Sequence, residues 1–379
     1  MFRLALKMLL GDRAKYAMLV GGLAFATLLM TQQSAVFFGL LSWTTSHLRM
    51  MRVPIWVGDA KVEQVNESRA MRDTEVNRVR SVSGVDWAVP LYMTILYARL
   101  EGGNFKPLTI IGLDNTTLIG RPAVMLKGRL EDVRLPNAVI IDDLAVKRLS
   151  VGRKKPLDVG DTFEINDKEA RVVGICKAER HFFGYPYIFT TFDQARLFSP
   201  KTRKMLSMVL ASPKPGLAAW DVARRIETET QLKAFTEREF TWETIWWYFR
   251  NTGIPMSFGT TIILGFVVGI AVCGQTFYLF VLDNLRHLGA LKAMGTSNAR
   301  LAGMLMVQAL TVGFIGYGLG IGLTVGFGLL VLDKGMPPFV LPWQLPVATL
   351  AVVLFICTVA ALLGIRRIYK VEPAMVFRG

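Results

Sequence analysis

The chain has no G-x-x-x-x-G-K-[ST] run, so it carries no phosphate-binding loop of its own. Its three histidines, His47, His181 and His287, are scattered, and neither they nor the three cysteines have the spacing of a metal site. No Ser/His/Asp or Cys/His grouping points to an activated nucleophile. The chain is therefore read as a non-enzyme, with no metal and no cofactor. Cys176 stands alone in the long polar part, which excludes an intradomain disulfide there, while Cys273 and Cys357 fall in apolar segments. Internal repeats and low-complexity stretches are missing as well. Charge is absent from four long apolar runs, 16–42, 256–282, 301–332 and 341–365. An ionisable residue inside a membrane marks an ion or proton path, so a proton-coupled transporter is disfavoured.

What is present is the layout of those runs. Each exceeds the ~20 residues that a helix needs to cross the hydrocarbon core. One lies near the N-terminus and three crowd the C-terminal third, with a polar stretch of about 210 residues between. The first run is too long for the apolar part of a signal peptide, and no small-x-small pattern follows it. The expected fold is membrane α-helical, four transmembrane helices in a 1+3 arrangement, with a large α+β extracytoplasmic domain over 43–255. Three segments flank the runs on one side: 1–15, 283–300 and the tail 366–379. Together they hold eleven basic residues against three acidic ones, whereas the short loop 333–340 is neutral. The positive-inside rule places these segments and both termini in the cytoplasm. Anionic membrane lipids suit the inner charges. The outer domain shares the basic balance of the +15 chain, but its position outside the membrane argues against nucleic acid.

Within residues 1–15, Phe2, Leu6, Leu9 and Leu10 share a helical face, as in a short interfacial helix. In the outer domain, 55–57, 88–100 and 107–112 read as strands, and 74–80 as a helix. A mostly β insertion follows at about 115–204. Strand, helix and strand signals at 206–211, 217–230 and 232–236 then complete one α+β sheet around it. Residues 241–250 are helical and aromatic, and Trp242, Trp246 and Trp247 suit an interfacial belt.

The membrane runs carry G-x-x-x-G pairs at Gly265/Gly269 and Gly316/Gly320, with Gly318/Gly322 and Gly322/Gly326 overlapping the latter. Such spacing suits close helix packing. Gln32 and Gln33 are the main polar residues of the first run, a candidate polar membrane site or an interhelical hydrogen bond. The loop 283–300 contains Arg286-His287-Leu288-Gly289-Ala290-Leu291-Lys292-Ala293-Met294-Gly295-Thr296-Ser297. Leu285, Leu288 and Leu291 recur every third residue, which predicts a short amphipathic helix closed by Gly295 that a soluble partner can grip.

That loop resembles the R-E-I/L-G-x-L-[KR]-A-x-G-[AT]-S signature of FtsX-like, MacB-type ABC transporter permeases. Gly289, Leu291, Lys292, Ala293, Gly295 and Ser297 match it. The ending Val371-Glu372-Pro373-Ala374-Met375-Val376-Phe377-Arg378 resembles the family's P-x-x-A-L-R close. Ile55-Trp56-Val57 and the Leu-Lys-Ala-Met-Gly run look most like the branch of DevC-type glycolipid and HrtB-type haem exporters. His287 stands where the family usually has a glutamate. Haem cargo is poorly supported, because the first run has no carboxylate and no membrane run has a histidine.

The resemblance implies a permease of the bacterial inner membrane. It would be a homodimer bound to a separate ABC ATPase, which would hold ATP and Mg. Arg286, His287, Leu288, Gly289, Leu291, Lys292, Ala293 and Gly295 would form the coupling surface. Export by mechanotransmission of a lipid-like, peptide or other amphipathic cargo is implied, with a periplasmic adaptor and outer-membrane channel in Gram-negative members. The alternatives are a signalling subunit that regulates a cell-wall hydrolase, and a lipoprotein-releasing subunit.

The orientation is testable with single cysteines at Asn104 and Ser297 in a cysteine-free background. In intact cells a membrane-impermeant thiol reagent is expected to label Asn104→Cys and spare Ser297→Cys. The reverse pattern overturns the topology.

Overall fold

The computed structural model describes residues 13–67, 69–200, 205–332 and 336–369, with side chains to Arg366. The expected interfacial helix at 2–13 and the C-terminal signature at 371–378 lie almost wholly outside the described residues. The chain opens with helix α1 (Arg13–Thr44), α2 (Ser46–Met51) and strand β1 (Ile55–Gly58). It continues through α3 (Glu75–Ser81), β2 (Val85–Arg99), β3 (Phe105–Leu113), β4 (Val124–Gly128), a 3-10 turn (Leu130–Arg134) and β5 (Ala138–Asp142). Next come α4 (Asp143–Leu149), β6 (Thr162–Ile165), β7 (Lys168–Lys177), β8 (Tyr187–Thr191), α5 (Phe192–Phe198) and β9 (Met208–Pro213). α6 (Ala219–Thr230), β10 (Lys233–Thr236) and α7 (Glu237–Asn251) lead to α8 (Ile254–Asp283), α9 (Leu285–Ala293), α10 (Asn298–Leu332) and α11 (Gln344–Tyr369). The chain divides into two compact units: Leu41–Thr252, and Met1–Leu40 with Gly253–Gly379.

The second unit holds the four helices long and apolar enough to cross a membrane: α1, α8, α10 and α11. Leu19, Leu23, Phe277, Phe280, Leu305, Val353 and Ile356 form its buried core. Outward faces remain apolar, as at Ile263, Leu264, Leu329 and Leu330, which is the pattern of helices whose surroundings are hydrocarbon rather than water. Thr31 Oγ1 donates to Thr349 Oγ1 (3.3 Å), and Tyr317 Oη donates to the Pro346 carbonyl (3.0 Å). Before α11, Phe339 fills the space left by two missing side chains. A Cβ on Gly328 would come within 2.4 Å of its ring, and one on Gly39 within 2.6 Å of its backbone nitrogen.

The outer unit is built on one ten-stranded sheet in the order β10-β1-β9-β2-β3-β8-β5-β7-β4. Long β2 serves two neighbourhoods: Val85–Leu91 pairs with β9, and Tyr92–Arg99 with β3. β6 pairs with both the end of β2 and β7, closing β2-β3-β8-β5-β7-β6 into a ring. The segment 115–204 therefore makes no sheet of its own; β2 and β3 from outside it complete the ring. Strand alternation sends Ile55, Val57 and Ile110 to one core and Trp56 and Ile111 to the other. The first core is covered by α3, α4, α5 and α6 through Val79, Ala145, Phe198 and Ile226. The second is covered by Leu48 of α2 and Phe240 of α7. α7 starts with a capping box, in which Thr236 and Glu239 satisfy each other's backbone N–H groups. Trp242 and Trp246 face outward, whereas Trp247 donates its indole N–H to Glu63 (2.8 Å).

Two histidines meet in this unit. His47 of α2 and His181, in the loop after β7, lie 5.5 Å apart between ring centroids, and both pack on Tyr187. Burial lowers His181 to about 4. It lowers His47 well below 6.5, and His181 beside it adds to the effect. Below the ordinary value near 6.5, the unfolded chain takes up protons that the folded chain refuses, so stability falls with falling pH. For His181 the window runs from 6.5 down to about 4, and the loss across it is roughly 3 kcal/mol. Chemical denaturation followed by tryptophan fluorescence at pH 7.5 and 4.5 checks this. His181→Phe, which keeps the aromatic packing, should lose less stability on acidification than the parent chain; an equal loss refutes the assignment.

Candidate functional site

The signature loop folds into α9, and the physical role of most of its residues can be read directly. Asn284 makes the corner. Its backbone N–H and its Nδ2 both donate to the Phe280 carbonyl, at 3.2 and 2.8 Å, and its own carbonyl accepts from the Leu288 N–H at 2.9 Å. The helix is closed by Gly295 at φ +88°, a conformation that costs glycine nothing. Gly295 N–H donates to the Lys292 carbonyl (3.0 Å) and Thr296 N–H to the Leu291 carbonyl (3.1 Å), the two bonds of a Schellman close. Ser297 then starts α10: its carbonyl accepts the N–H groups of Arg300 (3.0 Å) and Leu301 (3.2 Å), and its hydroxyl accepts the Arg300 N–H at 3.4 Å.

The apolar stripe faces inward. Leu288 is 3% exposed and belongs to the same core as Leu19, Phe280, Leu301 and Leu305. Gly289 is buried, Leu291 packs on that core, and Leu285 and Lys292 are half-buried. The expectation that Leu285, Leu288 and Leu291 form the gripping face is thus corrected. A nine-residue helix tied at both ends minimises exposed apolar area by turning its leucines onto its own bundle. The open face is made by Arg286, His287, Ala293, Met294 and Gly295, with Met294 74% exposed. Beside this corner, Lys15 of α1 forms an ion pair with Asp283 at the end of α8.

The glycine pairs converge on α1. A Cβ on Gly265 would meet Met30 and Leu29, and one on Gly269 would meet Ala26 (3.1 Å). From α10, a Cβ on Gly316 would lie 2.7 Å from Leu23 Cβ, and one on Gly320 2.5 Å from Thr27 Cβ and 2.7 Å from the Ala24 carbonyl. α1 is therefore held between α8 and α10 by close backbone approach. Gly318, Gly322 and Gly326 face open space. Gln32 and Gln33 are half-buried on α1. Among the described residues no group of three or more His, Cys, Asp or Glu is placed to hold a metal. The meeting of His47 with His181 has no trace in sequence spacing.

A water-exposed α/β unit joined to a bundle of four membrane-length helices, with a structured reverse corner between two of them, is the build of a transport permease. Residues 19–229 match the MacB-like periplasmic core domain and residues 259–373 the FtsX-like permease C-terminal domain. The chain belongs to the FtsX/MacB family of ABC transporter permeases. It is 23% identical to an ABC transporter permease of Mycobacterium tuberculosis (strain CDC 1551 / Oshkosh), over 81% of this chain and 79% of the relative. A permease of Mycobacterium bovis (strain ATCC BAA-935 / AF2122/97) is 23% identical over 66% of this chain and 65% of its own length. Among solved structures, the periplasmic region of MacB from Actinobacillus actinomycetemcomitans aligns with 54% of this chain and 95% of its own, at 13% identity and TM-score 0.39. The extracellular domain of YknZ from Gram-positive bacteria aligns with 48% of this chain and 98% of its own, at 16% identity and TM-score 0.35.

The two glycine faces give opposed expectations. Gly320→Ala and Gly316→Ala force a methyl into α1 backbone and Cβ atoms, and each should destabilise the bundle by about 1–3 kcal/mol. Gly318→Ala and Gly322→Ala meet nothing and should be neutral or slightly stabilising. Thermal unfolding of the four variants in the same detergent checks this, and equal effects on both faces refute the packing role.

Proposed function

We propose that this permease is the membrane subunit of an exporter driven by a separate ATPase, and that α9 is the element the ATPase moves. The observation that carries the reading is the split of α9 into two faces. Its leucine face is anchored in the bundle core, and its opposite face offers Arg286, His287 and Met294. A force applied to that open face passes to α8 through the Asn284 corner and to α10 through the Gly295–Ser297 turn. The Lys15–Asp283 pair joins α1 to the same corner. Such a helix is a lever rather than a tether.

In this reading the ATPase holds ATP and Mg, and two copies of the chain work as a homodimer in the bacterial inner membrane with both termini cytoplasmic. Mechanotransmission carries the movement to the outer domain, which acts on a lipid-like, peptide or other amphipathic cargo. An adaptor and outer-membrane channel would extend the path. His287, in place of the usual glutamate, makes the contact cationic or neutral rather than acidic.

The purified chain alone should hydrolyse no ATP. Met294→Asp and Arg286→Glu should leave thermal stability unchanged while weakening co-purification with the ATPase tenfold or more. A buried methionine is worth about 1.5–3 kcal/mol, and about 1.4 kcal/mol is a factor of ten. Leu288→Asp should instead lower the stability of the chain itself. If both open-face variants retain full ATPase binding and transport, α9 is not the coupling element.

A further inference from the structure

A cavity of about 180 Å³ lies in the outer unit, lined at its exposed side by Ile95 and Phe183 and at its buried side by His47, Thr109 and His181. Three of its lining residues carry a buried polar atom with no hydrogen-bond partner among the described residues: His47 Nδ1, Asn66 Oδ1 and Thr109 Oγ1. Their other polar groups are engaged. His47 Nε2 lies 3.3 Å from Tyr187 Oη, which is 2.9 Å from Ser46 Oγ. Asn66 Nδ2 donates to the Thr44 carbonyl at 2.8 Å, and this fixes which amide atom is left over. The Thr109 N–H donates to the Pro186 carbonyl at 2.9 Å. Buried polar atoms are nearly always satisfied, so three orphans around one cavity describe a place where something polar sits.

The chemistry of the lining narrows what that is. No Lys, Arg, Asp or Glu faces the cavity, so a charged occupant would stand desolvated and unpaired. A metal ion is excluded by the hydrogen bonding of His181. Its Nδ1 accepts from the Phe183 N–H at 3.1 Å, so the neutral ring carries its proton on Nε2 and has no free lone pair for a cation. That leaves His47 as a single imidazole ligand. A purely apolar occupant would leave the three orphans unmet. Met93, Ile95 and Phe183 supply an apolar wall, and His181 stacks on Tyr185 with an interplanar angle of 10°. A cavity of about 150 Å³ holds a benzene-sized molecule, so this volume suits one substituted ring.

We infer that this cavity is a binding site for a small uncharged ring compound bearing hydroxyl groups, of the phenol class. A hydroxyl both donates and accepts. It therefore suits Asn66 Oδ1, which only accepts, Thr109 Oγ1, which does either, and His47 Nδ1 in whichever neutral tautomer its bond to Tyr187 selects. The ring lies against the apolar wall. The site stands on the geometry of the outer unit alone and does not depend on the transport reading.

Resorcinol is a suitable probe, applied to the full-length chain in lipid nanodiscs and followed by saturation-transfer NMR. Thr109→Val keeps the β-branched shape and removes the hydroxyl. Ile95→Trp, at a position 43% exposed, closes the exposed side without entering the core, and what signal it retains measures partition into lipid. Saturable binding of one resorcinol per chain is expected, weakened tenfold or more by Thr109→Val and lost in Ile95→Trp, with the thermal unfolding of both variants unchanged. A signal that does not saturate, or that is equal in all three proteins, shows a cavity holding water only and overturns the proposal.

Discussion

The bundle depends on how closely one helix backbone can approach two others. α1 is separated from α8, α10 and α11 by the whole outer unit, so chain connectivity does nothing to hold it in place. It is held where four glycines remove the side chains that would keep it away: Gly265 and Gly269 on α8, Gly316 and Gly320 on α10. In hydrocarbon, burial of apolar surface gives little drive for helix association, and close van der Waals contact takes its place. The charge-free apolar runs within the helices and their glycine content are two sides of one solution.

The corner between α8 and α10 separates two kinds of residue that a linear motif mixes. Asn284, Gly295 and Ser297 shape the backbone through a corner bond, a left-handed close and a helix cap. Leu288 and Gly289 face inward onto the bundle. Arg286, His287, Ala293, Met294 and Gly295 are exposed, and so is Ser297. The motif positions Gly289, Leu291, Gly295 and Ser297 therefore fall on residues that pack or shape the corner. His287, the departure from the family's usual glutamate, is among the exposed positions.

The outer unit shows a different economy. Without disulfides, it is held by a sheet whose strands β1, β5 and β8 are buried on both faces, with helices on one side and α2 and α7 on the other. Burial this complete makes polar groups in the interior consequential. Asp142 is buried but accepts the N–H groups of Ala145 and Tyr187, whereas His47, Asn66 and Thr109 each keep an atom unmet around a single cavity.

How much was legible follows from the range of the signals. The four membrane helices, the strands at Ile55–Gly58 and Phe105–Leu113 and the helix Ala219–Thr230 were readable, because apolar runs and periodicity are local properties of the chain. The corner helix and its glycine close were readable for the same reason. The closure of β6 onto β2, the seating of α1 on glycine faces, the inward turn of Leu288 and the meeting of His47 with His181 were not. Each joins residues far apart in sequence, and an amphipathic stripe states only that one face will be buried, never against what. The sequence by itself determined which segments are long and apolar enough to cross a membrane, where the corner helix closes, and which positions lack a side chain. The tertiary structure alone decided which surfaces those choices cover, because burial is settled by the partner a face meets and not by the face itself.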